Sequence, residues 1–125
     1  MTNIGRTMLT LGMLIIGLAI CGTTFAADDI VKVAPNHCKV VLENENVRVI
    51  EYTAKAGDKV GMHWHPAHVI YIISGGGKTK FTAEDGKSDE REMKVGTSVW
   101  VDEVTHATEH MGKEETRVLI VEMKK

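Results

Sequence analysis

The sequence predicts an all-β fold, an antiparallel double-sheet jelly-roll barrel, preceded by a signal-peptide helix over residues 1–26. Three observations lead there. Beyond those first residues, no window of 12 or more keeps a 3.6-residue apolar period. Short runs rich in β-branched residues recur instead, spaced about 8–12 residues apart, as in an antiparallel sandwich or barrel. Clusters of Gly, Pro and Asp separate them. A chain of 125 residues suggests one domain, placed at residues 40–123.

The leader comes first. Arg6 is the only charged side chain before Asp28, and Met8 to Cys21 is an apolar run interrupted only by Thr10 and two glycines. Thr24-Phe25-Ala26 then puts small residues at the first and third places, as at a secretory cleavage site. The run is shorter than the roughly 20 residues that span a bilayer. Export to the periplasm or the medium is expected, with no stable membrane association after cleavage. An uncleaved anchor is the alternative. Lipidation at Cys21 is disfavoured by the bulky Ile20 before it. Cleavage after Ala26 would leave Cys38 as the single cysteine, without an intrachain disulfide. So small a domain gains from a self-pairing interface, and a homodimer is expected.

Further on, Val47–Tyr52 reads as a strand ending before the turn-like Lys55-Ala56-Gly57-Asp58. Val60–His65 is a strand stopped by Pro66, which cannot donate to a ladder. Val69–Ile73 is apolar on both faces, predicting a central, fully covered strand. After Ser74-Gly75-Gly76-Gly77, Lys78–Thr82 alternates weakly and reads as an edge. Asp85-Gly86 marks a hairpin to the charged Ser88–Lys94. Ser98–Val101 and His106–His110 follow, and Glu115–Met123 alternates cleanly, with Val118, Ile120 and Glu122 sharing one face. About eight strands result.

Charge is nearly balanced, 15 Lys+Arg against 17 Asp+Glu, with no basic stripe. Nothing supplies the phosphate contacts of a nucleic-acid partner, so none is expected.

The chemistry sits in histidines. On a strand, residues i and i+2 point the same way, so His63 and His65 project together while Trp64 faces away. Pro66-Ala67 is a short break from which His68 can re-enter the same space. His106 and His110, with Thr108 between them, share a face of a later strand. Imidazoles converging from two strands make a nitrogen-rich pocket suited to Zn²⁺, Fe²⁺, Ni²⁺, Cu²⁺ or Mn²⁺ rather than Ca²⁺ or Mg²⁺. A helical zinc-protease motif is excluded, because Ala107 stands where its glutamate would follow His106. A lone histidine such as His37 is better read as an ordinary core or surface residue. Strand parity turns Met62 and Met111 away from the pocket. Trp64 and Trp100 are read as core or interface aromatics.

Gly57-x5-His63-x-His65, with His68-x6-Gly75, resembles the first motif of the cupin superfamily: glycine, five residues, His-x-His, a short gap, Glu, six residues, glycine. Gly96, then His106 and His110, resembles the second motif, which ordinarily ends His-x3-Asn. The stretches His63–Gly76 and Val99–His106 are similar to the small cupins labelled β-alanine-degradation proteins. The resemblance runs from about Val40 to Met123. It departs at the glutamate ligand position, where His68 stands with a gap one residue shorter. It departs again where the second motif has Pro-x-Gly, here Asp102-Glu103-Val104, and at His110 in place of Asn.

The resemblance implies one divalent transition metal on His63, His65, His68 and His106. His68 is either a direct ligand or an imidazole holding a ligand or bound water by hydrogen bond. His110 is assigned to that outer role, or to proton transfer. Four neutral ligands would leave the metal its full charge and attract a small anionic ligand. Cupin precedents point to an iron-dependent dioxygenase acting on a small anionic metabolite, with Glu51, Glu109 and His110 as acid–base candidates. The competing reading is a non-catalytic periplasmic cupin binding a metal or a small molecule.

Overall fold

A computed structural model describes residues 26–125. Of the expected leader only Ala26 lies among them; residues 1–25, with Cys21, fall outside the described part. One short helix and nine strands build the described chain: α1 (Ile30–Val33), β1 (Cys38–Glu43), β2 (Val47–Ala54), β3 (Lys59–His65), β4 (His68–Ser74), β5 (Gly77–Ala83), β6 (Ser88–Met93), β7 (Ser98–Val101), β8 (Val104–His110) and β9 (Thr116–Met123). Asp29 starts α1, its side chain accepting from the Val31 amide at 3.0 Å. That satisfies a donor the first helical turn leaves free. The strand beyond the expected eight is β1. Its Val40-Val41-Leu42 run does not alternate, because its register with β2 slips between Val40 and Leu42.

The strands form a five-stranded sheet, β1-β2-β9-β4-β7, and a four-stranded sheet, β3-β8-β5-β6. Every ladder between them is antiparallel. Ile50, Val118 and Ile120 meet Val60, Ile30 and Ala34 between the sheets, forming the apolar core. Among the described residues no ladder joins the two sheets, so the expected barrel is a pair of facing open sheets. Edge strand β6, polar on both faces, is solvated rather than paired onward.

Two expectations about position need correction. Lys78–Thr82 was expected at an edge, but β5 lies between β8 and β6. Its lysines look solvent-bound in the sequence because they answer charges across the ladder, as Lys78 does with Glu90 at 3.3 Å. Val69–Ile73 was expected to be covered on both faces. β4 does have a neighbour on each side, yet only its inner face, with His68 and Ile72, is buried, and Tyr71 is 42% exposed. Its outward Val69 belongs to an apolar row crossing the whole sheet, Leu42, Val49, Val121, Val69 and Trp100 side by side. Trp100 is exposed there rather than in the core.

Two turns show why glycine is needed. Gly86 takes φ +83° in the β5–β6 hairpin, as its Asp-Gly sequence predicts. Gly75 takes φ +76° after β4, and a Cβ there would overlap the Glu115 carbonyl. One irregularity bears directly on the site. Val60 pairs with Thr108 and His63 with His106, so Gly61 and Met62 together oppose Ala107 alone. This bulge lets Val60 and His63 both point inward despite their odd separation.

Candidate metal centre

The bulged β3 delivers His63 and His65, and β8 delivers His106 as the ladder partner of His63. Pro66 ends β3, and β4 opens at His68, whose ring lies 4.6 Å from that of His65 between centroids. The rings of His63 and His65, and of His63 and His106, are 4.9 Å apart. One nitrogen from each of His63, His65 and His106 lies within 4.8 Å of the other two. Nitrogen ligands sit about 2.0–2.1 Å from a zinc ion, so the rings would swing slightly inward around one cation. His68 adjoins this threesome through His65 without belonging to it.

The hydrogen bonds decide which nitrogens are free. His63 Nδ1 donates to the Gly61 carbonyl at 2.7 Å, and His68 Nδ1 to the Pro66 carbonyl at 2.7 Å. His65 Nδ1 donates to Glu122 Oε1 at 2.9 Å. These partners only accept, so each Nδ1 carries the proton and each Nε2 is a bare lone pair. His63 Nε2 is buried with no partner at all. A buried polar atom without a partner is costly, and a metal ion is the partner such an atom fits. Burial pushes the His63 imidazolium down to about 4, helped by the neighbouring His65 and opposed by the Gly61 carbonyl. Burial, then His63, pushes His106 down to about 3, and burial lowers His68. His63, His68 and His106 are therefore neutral near pH 7, the form that binds metal. The donor set fits a divalent transition ion.

Sequence reasoning missed Glu122. It is 2% exposed on the inner face of β9, and besides His65 it accepts from Arg48 Nε at 2.7 Å through Oε2. Burial works to raise its pKa, but the hydrogen bonds from His65 and Arg48 outweigh it and hold the carboxyl below its usual range. The signal was present: Glu122 interrupts an otherwise apolar face with Val118 and Ile120, and Arg48 shares the parity of Ile50.

The remaining candidates lie apart from the cluster. His110 shares the inner face of β8 with His106, but its Nε2 donates to the Glu114 carbonyl at 2.6 Å and so ties down the β8–β9 turn. Glu51 pairs with Arg117 at 3.0 Å and Glu109 with Lys59 at 3.8 Å. Neither lines the cavity that the cluster faces. That cavity, about 560 Å³, is walled by Phe81, Ile70, Ile120 and Val101, and also reaches Arg91 and His110. Apolar walls with a few converging polar groups are typical of small-ligand sites.

No family model matches the chain, and no curated protein matches it in sequence. Solved structures do. A cupin domain from Bordetella pertussis Tohama I superposes with a TM-score of 0.65 at 22% identity, over 82% of this chain and 99% of its own. An RmlC-like cupin with a double-stranded β-helix fold from Methanocaldococcus jannaschii gives 0.54 at 17% identity, covering 70% and 78%. A cupin superfamily protein from Desulfitobacterium hafniense gives 0.54 at 14%, covering 70% and 76%. The likeness is one of fold.

Proposed function

We propose, taking the cupin fold as premise, that this chain is an exported metal-dependent cupin. It holds one divalent transition ion on His63, His65 and His106, with His68 beside them next to His65, and presents that ion to a small anionic metabolite in the cavity. The single observation that carries this reading is the convergence of bare, buried imidazole nitrogens on one point beside an apolar chamber. The cupin motifs around His63 and His106 support it, and their likeness to the β-alanine-degradation type favours a small carboxylate as ligand. The leader-like residues 1–26 support export.

When bound, the ion supplies Lewis acidity and, if iron, a site for oxygen chemistry. The chain's own contribution is positional. His63, His65 and His106 fix the ion from two strands of one sheet. Ile70, Ile120, Phe81 and Val101 keep water from the ligand's body, and a neutral ligand set draws its anionic end to the metal. Within this reading the chemistry is iron-dependent dioxygenation.

A second reading has an observation of its own. Glu122, the buried carboxylate, is engaged by both His65 and Arg48, which leaves it unsuited to take a proton from a substrate. That favours capture of a metal or metabolite without reaction. Metal analysis of protein matured in its own compartment, followed by oxygen uptake with small carboxylates, separates the two. Bound iron with substrate-dependent oxygen consumption supports the enzyme, and a metal that binds ligand without turnover supports the carrier. Protein purified without any bound transition metal, and unable to take one up, would remove the enzyme and the metal carrier alike.

A further inference from the structure

Behind the cluster runs a line of charges, partly exposed at Asp29 and buried at Glu122, from the other end of the described chain. Asp29 Oδ1 accepts from Arg48 Nη2 at 3.1 Å, Arg48 Nε donates to Glu122 Oε2 at 2.7 Å, and Glu122 Oε1 accepts from His65 Nδ1 at 2.9 Å. The four residues come from the start of α1, from β2, from β9 and from β3. The ladders set them in place: Arg48 lies opposite Glu122 on β9, and Glu122 opposite His68 on β4. The segment carrying Asp29 is itself docked. The Asp28 carbonyl accepts from the Trp64 amide at 2.8 Å, and Ile30 and Ala34 are buried in the core.

We propose that Asp29, Arg48 and Glu122 are positioning residues that fix His65 as a metal ligand and couple metal binding to the seating of residues 28–34. The inference rests on the metal reading above. Its logic is one of hydrogen-bond bookkeeping. Arg48 offers only donors, so the Glu122 oxygen facing it must accept. The other oxygen, facing His65, also accepts, which keeps the proton on Nδ1 and the lone pair of Nε2 toward the cluster. Two carboxylates and one guanidinium leave the line with a net negative charge. That charge offsets the charge of a divalent ion held by neutral imidazoles. A metal on Nε2 makes Nδ1–H a stronger donor to Glu122. Coupling of this kind is reciprocal: whatever the docked segment lends to metal affinity, metal lends to the docking.

The test uses the protein as its own cell matures it and Zn²⁺ alone as probe, with affinity read by competition against a chromophoric chelator. Glu122→Gln should weaken binding about 10–100-fold, the range for partners behind a ligand. With Arg48 present, the amide must turn its oxygen to the guanidinium and its NH₂ to His65. That forces the imidazole proton onto Nε2, where it blocks the metal. The discriminating variant is Glu122→Gln with Arg48→Met. Freed of the guanidinium, the amide turns its oxygen to His65, and affinity should recover at least severalfold over Glu122→Gln. A merely structural ion pair predicts the reverse, a double variant weaker than either single one. Asp29→Asn, at a half-exposed position and so safe for folding, should weaken Zn²⁺ about fivefold, at the low end of coupling between sites. Zn²⁺ should also slow hydrogen exchange of the Val31 and Trp64 amides in the native sequence. No recovery in the double variant would overturn the proposal. So would native exchange rates indifferent to Zn²⁺, or an Asp29→Asn affinity equal to native. If the native protein fails to compete for Zn²⁺ at all, the metal reading fails first, an outcome distinguishable from the others.

Discussion

Replacing His63 by leucine separates a metal ligand from a core residue, because the two roles demand opposite signs. In the metal-free protein His63 is fully buried and its Nε2 has no partner. Removing such an orphaned polar atom relieves roughly 1–3 kcal/mol, while losing the Nδ1 bond to Gly61 costs roughly 0.5–1.5 kcal/mol. Leucine fills most of the same space. The net expectation is a metal-free variant more stable than native by about 1 kcal/mol, which raises the Tm of a domain this size by about 4–8 °C. Metal reverses the order. At a free concentration one hundred times its Kd, an ion stabilises the native protein by about 2.7 kcal/mol, or roughly 10–20 °C in Tm. His63→Leu should show almost none of that shift. The assay is a thermal melt of both proteins, with chelator and with excess Zn²⁺. Two results would refute the reasoning: a metal-free variant destabilised by the roughly 2–5 kcal/mol of a core truncation, or a variant that keeps the native metal shift.

Other expectations follow from the same geometry. Because the His63 and His106 imidazoliums are pushed down to about 4 and about 3, the unfolded chain binds their protons first as pH falls. Stability of the metal-free protein should therefore be full above about pH 6.5, the unfolded histidine value, and decline as pH drops toward 4, read by denaturant melts across that range. Cys38 is pushed up to about 11, chiefly by burial. Its alkylation by iodoacetamide at pH 8 should run far slower in the folded protein than in the denatured one. Gly75→Ala combines a positive φ with overlap onto the Glu115 and Thr116 backbone. It should cost several kcal/mol, in the upper range of single substitutions, visible as a Tm lowered by well over 10 °C; a near-native Tm would refute the claim that the β4–β5 turn has no room for a side chain.

Much of this could be read from the chain because strand alternation and turn chemistry are local. The parity of His63 with His65, the Pro66 break before His68, the Asp85-Gly86 hairpin and the inward face of Val118, Ile120 and Glu122 all follow from neighbours in sequence. What could not be read depends on partners far away. The lysines of β5 looked like an edge until the glutamates of β6 were laid beside them. Nothing near Glu122 indicates that it meets Arg48, whose contact spans 74 residues. The site was legible in its imidazoles and hidden in the charges behind them.

The bulge in β3 has a consequence for how this protein tolerates change. A strand is a two-state counter, and Gly61-Met62 is the one place in β3 where the count is advanced by an extra step. Deleting either residue would give Val60 and His63 the same two-residue spacing as their partners Thr108 and His106, so the ladder would run regularly and both would still face inward. Deleting Trp64, beyond the bulge, would instead set His63 and His65 next to each other and therefore on opposite faces. The bulge is thus the one stretch of β3 with a residue to spare, whereas a single deletion between the two ligands would split the pair in one event.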